Sequence, residues 1–348
     1  MKKRLLIASL TLAYLSNAQS LTQTNEPTVG QTSTMFLCDS NATNLASVTG
    51  NTAAWDYSQL GKYTSQLRTI NIVDPATTTN ASSFTNSTVA FEIENFISTY
   101  SSSTATDRNS QGFVFTEPSL GDVIAEYSSN NEVLLTYPFA YSNTSTDNFS
   151  GTLSFSFNGI PQNPSCTGTV TSTIDGQGSL TVGSTTIPNV IRYKIEDRTT
   201  ASILFFGDIE FTRVQFEYYD LANSNLPIFI HANAKVQNVG STTPLIDRSI
   251  VLSSIEPTAI VSANAGLTSN KTNNFNIYPN PTKGDLTING EFNSDAQIRV
   301  IDQTGREIIS ALSLSNGSKI DLSSINKGLY TVEITNNGVK STKNIVVE

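Results

Sequence analysis

Three features of the sequence predict an all-β protein: an antiparallel β-sandwich followed by a small immunoglobulin-like sandwich of seven strands. Short apolar runs alternate with polar residues, turn residues recur between them, and no helical period lasts beyond two turns. Composition agrees. Only 38% of the 348 residues are hydrophobic and 14% are charged, and Ser, Thr and Asn fill the gap. Threonine suits a pleated surface with one wet face. The 17 Phe and 12 Tyr supply apolar area for a core, which argues against disorder.

The chain opens with Lys2-Lys3-Arg4, a short apolar run and Ser16-Asn17-Ala18. This pattern reads as a secretory signal peptide over residues 1–18, cleaved before Gln19. The run is too short to span about 30 Å of hydrocarbon, and no later stretch is long enough, so no transmembrane span is expected. Export implies an oxidising environment. Cys38 and Cys166 then read as one disulfide, with two buried free thiols as the alternative.

Residues 19–257 read as the larger domain. Residues 19–31 are polar and are expected to fray. Strands are expected over 89–97, 131–141, 151–157, 179–182 and 190–195, where apolar and polar side chains alternate. Residues 202–237 read as a meander with turns at Gly207-Asp208 and Asn223-Ser224-Asn225. In its last run Ile228, Ile230, Ala232, Ala234 and Val236 share one face, and Phe229, His231, Asn233, Lys235 and Gln237 the other. Residues 258–274 are small, polar and aperiodic, and read as a linker.

Residues 275–348 form the second domain. Strands are expected over 275–278, 286–288, 297–301, 307–314, 319–322, 329–335 and 339–347. Pro279 and Pro281 interrupt pairing after the first, and Asn336-Asn337-Gly338 is a hairpin turn. Tyr278-Pro279-Asn280-Pro281, Gly284, Ile298 to Arg306 with Gly305, Ile320-Asp321-Leu322, Gly328-Leu329-Tyr330, and a final strand bearing Lys340 and Lys343 follow in order. This segment resembles the C-terminal sorting domain of type IX secretion substrates. The resemblance implies passage through the periplasm, recognition by the type IX translocon and sorting machinery, and delivery to the cell surface or the medium. It also implies attachment to anionic lipopolysaccharide or release. Within the larger domain, Trp55-Asp-Tyr-Ser, Leu135-Thr-Tyr-Pro138, residues 147–152 and residues 175–182 resemble segments recurring in secreted Bacteroidota proteins with the same tail, which implies a family and no activity.

Charge and side-chain counts exclude several functions. Residues 19–270 hold nine basic against 21 acidic residues, a net −12, with no basic stripe, so nucleic acid is not an expected partner. Two cysteines and one histidine cannot build a four-cysteine, two-cysteine–two-histidine or three-histidine zinc site, and no cofactor is expected. His231 reads as a sheet histidine, since no strained turn presents a nucleophile to it. Glu92/Glu94, Glu196/Asp197, Asp208/Glu210 and Glu217/Asp220 are candidate carboxylate pairs for glycoside hydrolysis. Asp39-Ser-Asn41-Ala-Thr43 resembles the start of a calcium loop but lacks its glycine and distal glutamate, and Asp175-Gly-Gln-Gly178 reads as a turn. The stripe Tyr137, Phe139, Tyr141, like Trp55, is expected in the core rather than on a sugar-binding surface. The expectation is an exported, non-enzymatic binding, adhesive or structural protein that meets surface glycan or lipopolysaccharide. The alternative is a surface polysaccharide hydrolase using a carboxylate pair.

Overall fold

The computed structural model describes residues 19–42, 45–117, 121–157, 160–203, 207–261, 275–290, 292, 296–302, 306–336 and 339–348. The expected signal peptide, the linker beyond residue 261, Gly305 and the Asn337-Gly338 turn lie outside them. The chain divides into two compact units, Met1–Ser262 and Ala263–Glu348.

Among its described residues the first unit holds a 16-stranded sheet whose neighbours are almost all antiparallel, and a separate two-stranded pair. From Thr144–Phe157 it runs through Gly121–Asn130, Asp107–Glu117, Ile97–Ser103, Val89–Ile93, Gly61–Val73 and Thr32–Cys38. It continues through Ile246–Ser253, Phe229–Asn238, Gly207–Tyr219, Thr185–Ile203 and Ser165–Val182. The last of these pairs again with the first, from Thr144↔Thr173 to Thr152↔Ser165. The sheet therefore rolls until its ends meet, and its halves face each other across one core, as the layers of a sandwich do. Closure pairs Thr144–Phe157 with Ser165–Val182 and leaves Gly50–Tyr57 and Ile160–Gln162 each with a neighbour on one side only.

Alternation decides which side chains go inside. Along Thr185–Ile203 the inward row holds Ile191, Tyr193, Ile195 and Ala201, all buried. On Phe229–Asn238 the inward row is Ile230, Ala232, Ala234 and Val236, and His231 and Phe229 face outward. Two smaller clusters cover the outer face. Trp55 and Tyr57 on Gly50–Tyr57 pack on Phe216, Tyr218 and Phe229. Phe84 packs on Ala90, Tyr100 and Val114.

Two expected strands are broken. Residues 89–97 form a hairpin, Val89–Ile93 and Ile97–Ser103, because Asn95 turns at φ 58°. Residues 131–141 divide into Glu132–Thr136 and Phe139–Ala140 around Pro138. Residues 20–25 are ordered: Ser20–Leu21 pairs with Phe139–Ala140, and Leu21 is 1% exposed in the main core. Among the described residues no helix is long and apolar enough to cross a membrane.

The second unit forms all seven expected strands as a three-stranded and a four-stranded sheet. Phe275–Tyr278, Asp285–Gly290 and Ser318–Asp321 make the first. Glu307–Ser313, Gln297–Asp302, Gly328–Asn336 and Val339–Val347 make the second. The two inner faces share a core built around Leu286, Ile298, Val332 and Ile345, drawn from this unit alone.

Gly151 lies on the closing strand at an irregularity in its pairing with Gly121–Asn130, where a Cβ would sit 1.8 Å from the Glu126 carbonyl oxygen. Gly151→Ala is expected to lower stability by about 1–3 kcal/mol. Urea denaturation checks this, and an unchanged midpoint would show that the seam can open to admit a methyl group.

Candidate functional site

The first unit carries a polar cleft of about 520 Å³ on its outer face. One wall is the segment after Gly61–Val73. Asp74 starts it, its carboxylate accepting the Ala76 N–H at 2.9 Å over the short turn Pro75–Thr77. Phe84 pins the segment down by stacking on Tyr100 at 3.8 Å between centroids. Between pin and cap lie Thr77, Thr78, Thr79 and Asn80, facing Glu92, Asn95, Ser98 and Asp122 across the opening. Thr78 donates its hydroxyl to the Pro75 carbonyl at 2.8 Å. Among the described residues no Lys, Arg or His lines the cleft.

Its two carboxylates differ. Partial burial raises the Glu92 pKa above the usual carboxylate value. Asp122 accepts the Thr116 hydroxyl at 2.7 Å. Register places them well apart: Glu92 lies opposite Ser98, Ser98 opposite Val114, and Val114 opposite Ile124, two residues from Asp122. Three strand spacings and two residues of rise put their Cα atoms roughly 16 Å apart. Flanking one glycosidic bond requires carboxyl groups within about 5–9.5 Å.

The carboxylate pairs expected from sequence are dispersed. Glu94 lies beyond the end of its strand, where its carboxylate accepts the Thr69 N–H at 2.9 Å. Glu196 is exposed beside Lys194, whereas Asp197 points inward. Asp208 accepts the Ser202 hydroxyl, and Glu210 pairs with Arg198. Glu217 binds the inward-facing Gln215 and Tyr219, and Asp220 binds Asn223. Asp39 accepts the Asn41 N–H at 2.9 Å in a local turn, and Asp175 pairs with Arg192. Phe139 is buried, and Tyr137 and Tyr141 pack against the core. Trp55 is 1% exposed and donates to the Val48 carbonyl.

The expected Cys38–Cys166 bridge is absent: both are free, buried thiols. The fold assigns them to different clusters, Cys38 to the outer patch beside Trp55 and Cys166 to the main core. Burial pushes the Cys38 thiol up to about 12 and the Cys166 thiol up to about 11, so neither is a ready thiolate. His231 stacks on Phe216, its Nδ1 buried without a partner, and burial followed by the Arg192 charge lowers its pKa. Val251 stands between it and Cys38 in the ladder.

Sequence reading missed two ionic groups inside the sheet. Arg108 donates to Glu26 from Nε at 2.9 Å and from Nη2 at 2.5 Å. The Tyr137 and Ser103 hydroxyls complete the cradle around that carboxylate. Arg213 Nε donates to Asp197 at 2.7 Å, with Glu132 beside them. The available signal was parity: Asp197 and Arg213 fall on the inward rows of their strands. Glu26 carried no such signal, because it sits in a polar segment without periodicity.

In the second unit most residues of the resemblance build the fold. Asn280 clasps the final strand in both directions: its Nδ2 donates to the Asn344 carbonyl at 3.0 Å, and its Oδ1 accepts the Val346 N–H at 2.9 Å. Thr282 continues the clasp through Val346 and Glu348. Pro279 and Pro281 flank Asn280 and are exposed. Gly284, at φ +140°, lies against the Ser323 backbone, where a Cβ would come within 3.2 Å. Gly328 adopts φ +157°, and the buried Tyr330 donates to the Asn326 carbonyl at 2.7 Å. Lys343 lies over the Phe275 ring at 5.2 Å, and burial lowers its pKa. The Lys340 side chain lies outside the described residues.

Residues 276–348 match the family described as secretion system C-terminal sorting domain. No curated protein and no solved structure matches the chain. The second unit is thus a type IX secretion sorting domain. The chain is exported to the cell surface or secreted, and the type IX machinery is its partner in export.

Glu26 yields a test of the interior. Burial acts to raise its pKa, but Arg108 and the hydroxyls outweigh that and hold it below its usual value of 4.5. A depressed carboxyl contributes stability that is present above the unfolded-state pKa and lost as pH falls through the folded one. Glu26→Ala, which strands the Arg108 guanidinium, is expected to cost about 3 kcal/mol at pH 7. In urea titrations the gap from the parent should narrow below about pH 4.5. A constant gap would place the effect in packing.

Proposed function

We propose that residues 19–257 are cargo whose work is non-enzymatic binding at or beyond the cell surface, and that the cleft between residues 77–80 and Glu92 is the binding site. The cleft carries this reading. Hydroxyls and amides dominate it, with an aromatic ring at its floor and two carboxylates that no cation in its lining offsets. Such a lining suits a polyhydroxylated ligand, neutral or bearing amines, as a surface glycan can be. It is ill suited to the phosphates of lipopolysaccharide, which call for cations.

The raised pKa of Glu92 is what favours a second reading, a polysaccharide hydrolase, since a general acid must hold its proton near neutrality. The separation of Glu92 from Asp122 weighs against it. A glycan array and hydrolysis screen on the full-length chain separates the two. Binding without turnover, weakened at least fivefold by Glu92→Gln with Asp122→Asn, is the expected result. Turnover that Glu92→Gln abolishes would replace the proposal with the hydrolase. For delivery, deletion of residues 275–348 is expected to leave the body in the periplasm, measured by cell fractionation. Surface or medium localisation of the truncated chain would show that a second address exists.

A further inference from the structure

Residues 20–26 form a strap across one end of the first unit, and the strap holds its own shape. Asn25 Oδ1 accepts the Thr22 N–H at 3.0 Å and the Thr22 hydroxyl at 2.7 Å. The Asn25 N–H returns to the Thr22 carbonyl at 2.9 Å, which closes the turn Gln23–Asn25. These bonds need nothing from the body. The bonds to the body reach far along the chain. Ser20–Leu21 pairs with Phe139–Ala140, and Leu21 is 1% exposed in the main core. The Asn225 side-chain amide donates to the Thr24 and Glu26 carbonyls, each at 3.4 Å.

Beneath the strap lies a built receptor. Arg108, 9% exposed, donates to the Glu26 carboxylate from Nε at 2.9 Å and from Nη2 at 2.5 Å. The Ser103 hydroxyl donates to the same carboxylate at 2.8 Å, and the Tyr137 hydroxyl joins it. Beside this cradle, Phe139–Ala140 has Ser20–Leu21 as its one paired strand among the described residues. An empty receptor would leave a guanidinium unpaired, a strand edge bare and a hole where Leu21 sits, each at a cost in free energy. The ligand it fits is therefore an extended segment that adds to a strand edge and carries a leucine followed five residues later by a glutamate.

The connection between strap and body is short and exposed. Thr28, Val29 and Gly30 all face solvent, and Val29 is 51% exposed. The body resumes at Gly30-Gln31: the Gly30 N–H donates to the Ile72 carbonyl at 2.8 Å, and the Ile72 N–H to the Gln31 carbonyl at 2.9 Å. Thr28 bonds forward to Gln31, its N–H donating to Oε1 at 2.9 Å. The strap is thus a preorganised ligand on a tether, held in its receptor by contacts that do not depend on which chain supplies it.

We propose that the receptor of Arg108, Ser103, Tyr137 and Phe139–Ala140 takes the strap of a second copy of this chain, so that two copies exchange residues 20–26 and associate as a two-fold dimer. A second copy brings the same leucine, the same glutamate and the same folded turn, so every bond above re-forms between chains. Three tether residues reach about 10 Å when extended, so exchange sets these ends of the two bodies face to face. The two Val29 side chains then meet where each was exposed. The bonds of strap to receptor are equal in number in the closed monomer and in the dimer. Tether length and protein concentration therefore decide between them. This association does not rest on the glycan-binding reading of the cleft beside Glu92.

The test shortens the tether in the full-length chain. Deleting Thr28 and Val29 removes about 7 Å of reach, so the strap no longer spans to its own receptor while Gly30 stays paired with Ile72. Light scattering is expected to give twice the chain mass for this variant. A folded, monomeric shortened chain would overturn the proposal. Adding Leu21→Ala with Glu26→Gln to it should weaken the dimer at least about tenfold. An unweakened dimer would place the contact elsewhere and overturn the proposal as well. If the shortened chain fails to fold, two full-length variants decide. Ser20→Cys in one chain and Ala140→Cys in another, refolded together and oxidised, are joined when a strap has crossed, because these positions are opposite each other in the pairing. A mixed disulfide dimer well above the level of either variant alone supports the exchange, and its absence overturns it.

Discussion

The first unit depends on one pairing, that of Thr144–Thr152 with Ser165–Thr173. Without it the sheet would be an open, twisted ribbon with long unpaired edges. With it the sheet has an inside. The outward side of this seam is a threonine ladder, Thr144 against Thr173 at 3.2 Å and Thr146 against Thr171 at 3.4 Å between hydroxyl oxygens. Its inward side sets Phe149 and Val170 into the core. Cross-strand pairs of this kind are worth only about 0.2–1 kcal/mol each. The register supplies many in succession, and Gly151 lets two neighbouring strands approach where any side chain would block one of them.

Closure also explains the chemistry of the interior. A ring this large encloses more width than aliphatic side chains fill, so long polar residues and tyrosines share the space with Phe and Leu. Once Arg108 and Arg213 are inside, each needs a partner, because an unpaired buried charge costs several kcal/mol. Asp197 comes from the neighbouring strand. Glu26 comes from the leading segment, which is why that segment is ordered. The outer patch follows the same rule: Arg192 lies beneath Trp55, Phe216 and Tyr218 at 4.9–5.7 Å from their rings and is neutralised by Asp175.

Period-two patterning was legible wherever one face was strongly apolar. The face of Ile230, Ala232, Ala234 and Val236 and all seven strands of the tail could be read from it. Asp107–Glu117 could not, and of Ser165–Val182 only residues 179–182 could, because polar residues fall on both faces of their other stretches and only pairing with neighbours identifies these as strand. Hairpins inside an apolar run were hidden for a related reason: Asn95 turns the chain between Ile93 and Ile97 without interrupting the hydrophobic signal. The cysteines misled because their number and compartment suggested a bond, whereas bonding depends on proximity, which the ring topology denies them. The cleft was half legible. Glu92 stood out as a carboxylate on an alternating strand. Its neighbours Thr77, Asn80 and Asp122 come from segments 12 to 30 residues away, and no spacing rule connects them.

The tail shows how a sequence motif and a fold can be one thing. Most of the described residues that carried the resemblance, Asn280, Gly284, Gly328, Tyr330 and Lys343, do structural work within the second unit. The Asn280 amide is the most informative, since it bonds both a carbonyl and an N–H of the last strand and so fixes the chain terminus against the start of the domain. A module whose two ends are clasped, and whose core is drawn only from its own residues, presents the same surface whatever cargo precedes it. That invariance is what an export machine requires if it is to handle bodies as unlike as a rolled acidic sheet and any other fold. Under the proposed division of labour the body's surface carries no export duty, which leaves the acidic cleft beside Glu92 to the proposed binding role.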